Sequence, residues 1–170
     1  MKYRKTNKFT FDKKSFVLDL SVTMEIIMAD TIYNNQNVID SRDVVERIEE
    51  LQTLCENFMT ENGLEEYPGF KNCDEESKWF DWDLDEGEEL YYLQDFVEQY
   101  GNLSAWKDGL TLVRDSYFGE YAEDLAYELY DIKSDQWPFT CIDWGEAANE
   151  LKNDYTCLDF HGEDYWASNY

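Results

Sequence analysis

Residues 74–98 read DEESKWFDWDLDEGEELYYLQDFVE and contain eleven carboxylates but a single cation, Lys78. Aromatic and aliphatic residues stand between the acids throughout, for example Trp79, Trp82 and Leu90. A disordered acidic tail has few such residues, because it buries nothing. The segment is therefore expected to fold, with its apolar side chains inside and its acids outside.

The same combination of acidic and apolar residues holds for the whole chain of 170 residues. Hydrophobic residues make up 43% of it and aromatic residues 17%, which is enough apolar surface for a core. The formal net charge is −25, from 39 acids and 14 cations. Such a charge repels nucleic acids and anionic membranes and attracts cations and basic proteins. No segment is apolar and long enough to predict a membrane span.

The charge is divided unevenly along the chain. Residues 1–29 carry six cations and three acids, whereas residues 30–170 carry eight cations and 36 acids, a net charge of −28. We therefore predict a basic N-terminal extension over 1–29 and a single acidic domain over 30–170, with a candidate subdivision near residues 101–110.

The N-terminal extension has a pattern of its own. Apolar residues alternate with mostly polar ones over residues 16–26, which predicts a strand or hairpin. It is not a signal peptide, because Asp19 interrupts the apolar run and no cleavage site follows. The alternative is that translation starts at Met24 or Met28 and the extension is dispensable.

Periodic apolar residues predict a helix over residues 40–63. Asp40 or Ser41 is a suitable N-cap, and Gly63 stands where a C-cap belongs. The acids of this helix fall on the face opposite the apolar stripe. The stripe consists of Val44, Ile48, Leu51, Cys55 and Phe58.

The same division of faces predicts three further helices. One covers residues 90–100 and stops at Gly101, another covers 117–130 with Ser116 as its cap, and a short one follows Asp143. The inward residues of the second are expected to be Phe118, Ala122, Leu125 and Leu129. Those of the third are expected to be Trp144, Ala147, Ala148 and Leu151.

Short strands complete the predicted fold. Residues 110–113 follow a turn at Asp108-Gly109, and residues 155–160 and 164–167 alternate around His161-Gly162-Glu163 as a terminal β-hairpin. Helices and strands do not alternate regularly. This order predicts an α+β fold, in which amphipathic helices pack with short antiparallel strands and a C-terminal β-hairpin.

The four cysteines, Cys55, Cys73, Cys141 and Cys157, show no Cys-x-x-Cys spacing. We interpret them as reduced, buried small hydrophobes, which is typical of a cytoplasmic protein. Disulfides or a zinc site are the alternative interpretation.

A calcium site is the first chemistry that residues 81–87, DWDLDEG, suggest. An EF-hand loop requires Gly at its sixth position and a bidentate Glu at its twelfth. Here the Gly is seventh, and the twelfth residue is Tyr92. The many carboxylates are expected to bind cations loosely, but no dedicated metal site and no cofactor are predicted.

Catalytic readings lack a motif. The single histidine, His161, lies in a predicted turn, and no Gly-rich phosphate loop or nucleophile elbow is present. Paired carboxylates could act as acid and base, but 39 acids produce such pairs by chance. We predict that the protein is not an enzyme and has no catalytic residue.

The acids themselves indicate a function, because they imitate the charge of nucleic acid. Duplex DNA carries one negative charge per roughly 1.7 Å of axis, and acidic helices that rise about 1.5 Å per residue set charges a few ångströms apart. A basic DNA-binding cleft would be attracted to such a surface. The acids predicted to imitate phosphates are Glu46, Glu49, Glu50, Glu56, Asp81, Asp83, Asp85, Glu86, Glu88, Glu89, Asp95, Glu120, Glu123, Asp124 and Glu128.

Adaptation to high salt is the main alternative. A halophilic protein is also rich in acids and poor in lysine, and it would need no protein partner. Six cations within the first 14 residues argue against it, because salt adaptation does not require such a division. A cation-binding domain without a target is a related alternative.

Several runs resemble antirestriction proteins of phages and plasmids, the ArdA-like group of DNA mimics. They are YFxxYAxxLA at 117–126, QWP at 136–138, CIDWxxAAxxLKxDY at 141–155 and DFxGxxYW at 159–166. The run DSRDVVxRIEEL at 40–51 resembles the front of phage proteins that share this tail. The resemblance covers residues 38–60 and 112–166, whereas residues 1–29 and the middle of the chain do not match the pattern.

The resemblance implies a non-enzymatic inhibitor that occupies the DNA site of a host Type I restriction-modification complex, often as a homodimer. Such a protein would act in the cytoplasm of the bacterial host and contact neither nucleic acid nor membrane. Another DNA-binding defence protein, such as a CRISPR effector, is the alternative target.

Overall fold

The computed structural model describes residues 31–70, 79, 82, 86–130, 132–133 and 135–168. The basic extension over residues 1–29 and its predicted strand or hairpin lie outside the described residues, as does Cys73. The division of the chain at residue 29 therefore remains a prediction.

The first helix has the predicted bounds and caps. Helix α1, Ser41–Asn62, follows strand β1, Val38–Asp40. The Asp40 carboxylate accepts a hydrogen bond from the Arg42 backbone N–H at 2.9 Å, which satisfies one of the free N–H groups of the first turn. At the other end Gly63 has φ 63°, a left-handed conformation that glycine adopts without strain.

The remaining helices are α2 (Glu86–Tyr100), α3 (Leu103–Asp108), α4 (Phe118–Leu129) and α5 (Trp144–Leu151). Asp143 caps α5 as predicted, through bonds from the backbone N–H groups of Gly145 and Glu146. Helix α3 was not predicted. Single 3₁₀ turns occupy Asp115–Tyr117, Phe139–Cys141 and Lys152–Asp154.

Two predictions for α4 are wrong. Ser116 does not cap this helix, because it lies inside the preceding 3₁₀ turn and no side chain caps the start of α4. Leu129 does not face inward, since 63% of its surface is exposed. The apolar stripe is buried at Phe118 and Ala122, half-buried at Leu125, and leaves the protein interior at the last turn.

Four antiparallel strands form one sheet. Besides β1, the sheet contains β2 (Thr111–Arg114), β3 (Tyr155–Phe160) and β4 (Glu163–Ser168). The order of the strands in the sheet is β1-β2-β4-β3. The β3-β4 pair is the predicted hairpin. Its two-residue turn, His161-Gly162, has φ 51° and 85°, and positive φ at both positions is typical of type I′ hairpin turns. The α+β prediction is confirmed.

The sheet separates two layers of helices. Leu112 of β2 packs into a core with α1, α2 and α3, whereas its neighbour Val113 packs with α4 and α5 on the other face. This follows from the strand period of two, which sends successive side chains to opposite faces. Helices α1 and α4 therefore lie on opposite faces of one sheet.

Aromatic rings fill the core of the α1–α2 layer. Phe96 of α2 is fully buried, with its ring centroid 4.7 Å from Phe160, 5.3 Å from Trp106 and 5.8 Å from Tyr165. These partners come from α3 and both strands of the hairpin. A single side chain thus joins elements that are distant in sequence.

Ser41 explains how α3 is held. Its buried hydroxyl donates to the Trp106 carbonyl at 2.8 Å and accepts from the Leu110 backbone N–H at 2.6 Å. Such buried polar groups need partners, since an unmade hydrogen bond costs about 1–3 kcal/mol. The first residue of α1 therefore fixes the turn between α3 and β2.

The acidic and aromatic segment at residues 74–98 behaves as expected where it is described. Trp79 and Trp82 are buried and pack with Cys55 and Phe58 of α1 in a separate small cluster. From Glu86 onward the segment forms α2, whose buried side is Leu90, Leu93 and Phe96.

The cysteine prediction is only partly right. Cys55 is buried, but Cys141 and Cys157 are exposed, and all three are free thiols. Cys141 lies in a 3₁₀ turn, and Cys157 lies on an edge strand, where side chains of one face meet solvent.

Among the described helices, none has both the length and the apolar character to cross a membrane.

Candidate partner-binding surface

Almost all cations of the described residues form ion pairs within the protein. These residues contain 28 acids and six lysines or arginines. Five of the six pair with a carboxylate, and only Lys133 has no ion pair among the described residues. The pairs are Arg42–Asp40, Arg47–Glu89 with Glu50, Lys107–Glu49, Arg114–Glu163 and Lys152–Asp115. Most acids are left uncompensated.

Arg47 joins α1 to α2. Its Nε donates to Glu89 Oε1 at 2.9 Å and its Nη2 to Glu89 Oε2 at 2.7 Å, while Nη1 lies 3.4 Å from Glu50 Oε2. The hydrogen bonds to Glu89 raise the pKa of the Arg47 guanidinium above its ordinary value. Arg47 and Glu89 are both largely buried, so this two-point pair is stronger than an ordinary surface pair.

Lys152 is directed inward in the other layer. Its Nζ lies 4.8 Å from the centroid of the Trp166 ring and 5.3 Å from that of Phe118, and it pairs with Asp115. The Trp166 Nε1 donates to the same carboxylate oxygen at 2.7 Å. The bond from Lys152, followed by that from Trp166, holds the pKa of Asp115 below its usual value. Lys152 therefore supports the fold and does not offset the acids of α4 and α5.

The predicted phosphate-mimicking acids of α1 and α2 differ in whether they form ion pairs and in how exposed they are. Glu49, Glu50 and Glu89 are engaged in ion pairs. Glu46, Glu56 and Asp95 are exposed, and Glu86 and Glu88 are half-buried. Asp81, Asp83 and Asp85 lie outside the described residues. Three of these eight described acids thus have their charge neutralised by the protein itself.

None of the acids of α4 forms an ion pair with a described residue. Glu120, Asp124 and Glu128 are exposed, Glu123 is half-buried, and α4 contains no cation. The three exposed acids are spaced by four residues, so they lie on one side of the helix about 6 Å apart along its axis. Phosphates of one DNA strand are about 3.4 Å apart along the duplex axis, so the row matches every second phosphate.

Helix α5 adds a second row that the sequence analysis missed. Glu146 and Glu150 are exposed on this helix, which packs beside α4. Their spacing of four residues, opposite the inward Ala147 and Ala148, was the signal that could have revealed them. We call the five exposed acids of these two helices, Glu120, Asp124, Glu128, Glu146 and Glu150, the acidic layer. It lies on the sheet face opposite α1 and α2, so the predicted acids do not form one cluster.

This charge distribution has opposing effects on the helices: acids in the first turns, such as Glu120 and Glu146, are favourable, whereas the charges further along are not. Cations near a helix C-terminus are stabilising, yet the last turns of α1, α2, α4 and α5 contain none. Acids spaced by four residues repel each other. Asp159 and Asp164 also face each other directly across the β3-β4 hairpin, where like charges are unfavourable.

We therefore expect Asp124→Lys to stabilise the protein. The substitution turns two repulsive contacts, with Glu120 and Glu128, into attractive ones, for a gain of about 1 kcal/mol. Thermal denaturation in dilute buffer should show a Tm higher by roughly 3 °C for a chain of this size. Asp124→Asn, which only removes the repulsion, should give about half of that rise. An unchanged or lower Tm in both variants would contradict this account of the row.

A polar cavity lies between α1, α2 and the turn of the β3-β4 hairpin. It encloses about 520 Å³ and is lined by Arg47, Glu86, Glu88 and His161, among others. The His161 ring stacks on Tyr92 at 3.8 Å between centroids, so this histidine packs against α2. Within the described part of the chain, no three His, Cys, Asp or Glu residues are grouped to hold a metal ion.

Comparison of the chain with protein-family models, with curated proteins and with solved structures finds no match. The functional interpretation therefore depends on the surface itself and on the sequence resemblance described above.

Proposed function

We propose that the protein is a non-enzymatic DNA mimic that occupies the DNA-binding site of a host defence complex in the bacterial cytoplasm. The target that the resemblance favours is a Type I restriction-modification enzyme. One observation carries the proposal, namely rows of exposed acids on α4 and α5 that have no ion pair among the described residues, beside a cation, Lys152, that faces inward.

Rigidity is what separates this surface from a free polyanion. A flexible acidic chain would lose conformational entropy when it binds, whereas the acids of α4 and α5 are already held in place by the core beneath them. Phe118, Ala122 and Ala148 form that core together with Val113 of the sheet. Arg and Lys residues of a DNA-binding cleft can therefore pair with the acidic layer with little loss of conformational entropy in its helices.

Long-range electrostatic attraction also favours binding to a basic cleft. The net charge of −28 over residues 30–170 would steer the protein towards a basic cleft and raise the association rate, as charge complementarity does in other complexes. The exposed acids of α1 and α2 contribute to this steering from the other face of the sheet. We assign direct contact first to the acidic layer, because none of its acids is paired within the protein.

Competition with DNA at different salt concentrations tests the proposal. A labelled DNA duplex bound to a purified Type I restriction-modification complex should be displaced by the protein at 50 mM salt. Between 50 and 200 mM salt the apparent affinity should fall on the order of 10- to 100-fold, because contacts between fixed charges are screened. Binding that leaves the DNA in place, or that ignores salt, would exclude mimicry.

The alternative of salt adaptation makes the opposite prediction for the free protein. A halophilic protein loses its fold when screening is removed. A melting curve in dilute buffer that still shows a cooperative transition, beside one at high salt, separates the two interpretations.

A further inference from the structure

Three large apolar side chains are exposed where α4 ends. They are Leu129 (63% exposed), Tyr130 (67%) and Trp137 (82%). Tyr130 and Trp137 belong to residues 130–143, which connect α4 to α5. The three residues lie within nine positions of the chain, and large apolar side chains that are grouped on a surface mark interaction sites.

Several described residues of this connection pack against the protein. Ile132, Phe139 and Ile142 are half-buried, and the Tyr127 ring of α4 lies 5.8 Å from Trp144 of α5. Backbone bonds from Gln136 to the Lys133 carbonyl and from Thr140 to the Gln136 carbonyl hold the chain around Trp137. These backbone bonds fix the chain on both sides of Trp137, which limits the entropy lost when a partner covers it.

The patch continues directly from the acidic layer. Leu129 follows Glu128, the last acid of the α4 row, and the connection leads into α5 with its second row. We propose that Leu129, Tyr130 and Trp137, the apolar patch, are an anchor that becomes buried in the same basic partner that the acidic layer contacts. This inference rests on the proposed function.

Charge decides between a basic partner and a second copy of the chain. In a symmetric dimer the same segment meets itself, and because residues 128–137 carry three acids and a single cation, Lys133, each copy would bring a net negative charge to the contact. A cleft with Arg and Lys around an apolar pocket offers opposite charge at the same positions. Trp and Tyr are also the residues that most often carry binding energy at the centre of such interfaces.

The anchor and the acids should act on different properties of binding. Charges mainly set the association rate and the salt dependence, whereas a buried aromatic side chain mainly slows dissociation. We therefore expect Trp137→Ala to weaken binding to the purified Type I complex by roughly 30-fold, the typical effect of a strong interface residue. The slope of affinity against salt should stay unchanged. Trp137→Phe should recover most of the loss.

Controls make the outcomes distinct. Poly-lysine offers charge without a pocket, so wild type and Trp137→Ala should bind it equally. Equal binding of both proteins to the complex would overturn the anchor and leave the proposed function intact. Failure of the wild type to displace DNA would overturn both. If sedimentation shows a wild-type dimer that Trp137→Ala converts to monomers, the patch belongs to a second copy and the inference is wrong.

Discussion

Replacing Glu120, Asp124 and Glu128 together by lysine is expected to weaken binding to the restriction complex by at least roughly 100-fold. The triple variant changes the charge of one exposed row by six units, and the dependence of affinity on salt should become weaker, because fewer contacts between opposite charges remain to be screened. None of the three side chains is buried or ion-paired, so the fold should be retained. The measurement is displacement of labelled DNA across a salt series, with circular dichroism as the check on folding.

A matched variant on the other face of the sheet controls for net charge. Glu46, Glu56 and Glu61 of α1 are exposed and unpaired, so changing them to lysine alters the total charge by the same amount. If the acidic layer makes the contact, this variant should lose only the steering contribution, roughly tenfold or less. Equal losses in the two variants would show that total charge alone matters. A larger loss in the α1 variant would place the interface on the α1–α2 face.

Phe96→Ala is expected to have the largest effect on stability. Phe96 is fully buried and its ring contacts Phe160, Trp106 and Tyr165, so its loss removes the contact shared by α2, α3 and the hairpin. Deleting a buried phenylalanine side chain typically costs 3–5 kcal/mol, because a cavity adds to the lost transfer energy. That is a large share of the 5–15 kcal/mol by which domains are usually stable. Urea denaturation monitored by fluorescence should show a much lower midpoint or no folded baseline.

Tyr91→Ala in the same helix is the control for this substitution. Tyr91 is 47% exposed, and among the described residues its aromatic neighbours are Phe70 and Tyr92. The loss should stay near 1 kcal/mol or below, as is usual for surface positions. Comparable losses at Tyr91 and Phe96 would contradict the assignment of the core to the inner side of α2.

Local signals in the sequence were sufficient for most secondary structure. Asp40 and Gly63 predicted both ends of α1, and Asp143 predicted the start of α5, because caps act within one helical turn. The alternation around His161-Gly162 predicted the hairpin. Helix α3 was missed because its six residues bury only Trp106, which is too little for a periodic pattern. Ser116 was misassigned because a capping residue type also suits a 3₁₀ turn.

The assignment of acids to a structural or an exposed role could not be read from the sequence. Glu89 and Glu120 look alike there, each being an acid on the polar face of a helix. Only the fold brings Arg47 to Glu89, across 42 residues, and turns Lys152 towards Asp115, across 37. Ion pairs of this kind follow from which helices pack together, and no local spacing rule reports them.

Residues 74–98 show both what the sequence determines and what only tertiary packing decides. Their composition was enough to predict buried aromatic rings beneath exposed acids, since apolar burial depends on residue type and period. The sequence likewise determined the strongly negative charge and the α+β class. In the tertiary structure the rows of unpaired acids lie on α4 and α5, on the face of the sheet opposite α1 and α2. This arrangement follows because successive residues of β2 point to opposite faces and so pack against different helices. Long-range packing, and not local pattern, decides which charges remain exposed to a partner.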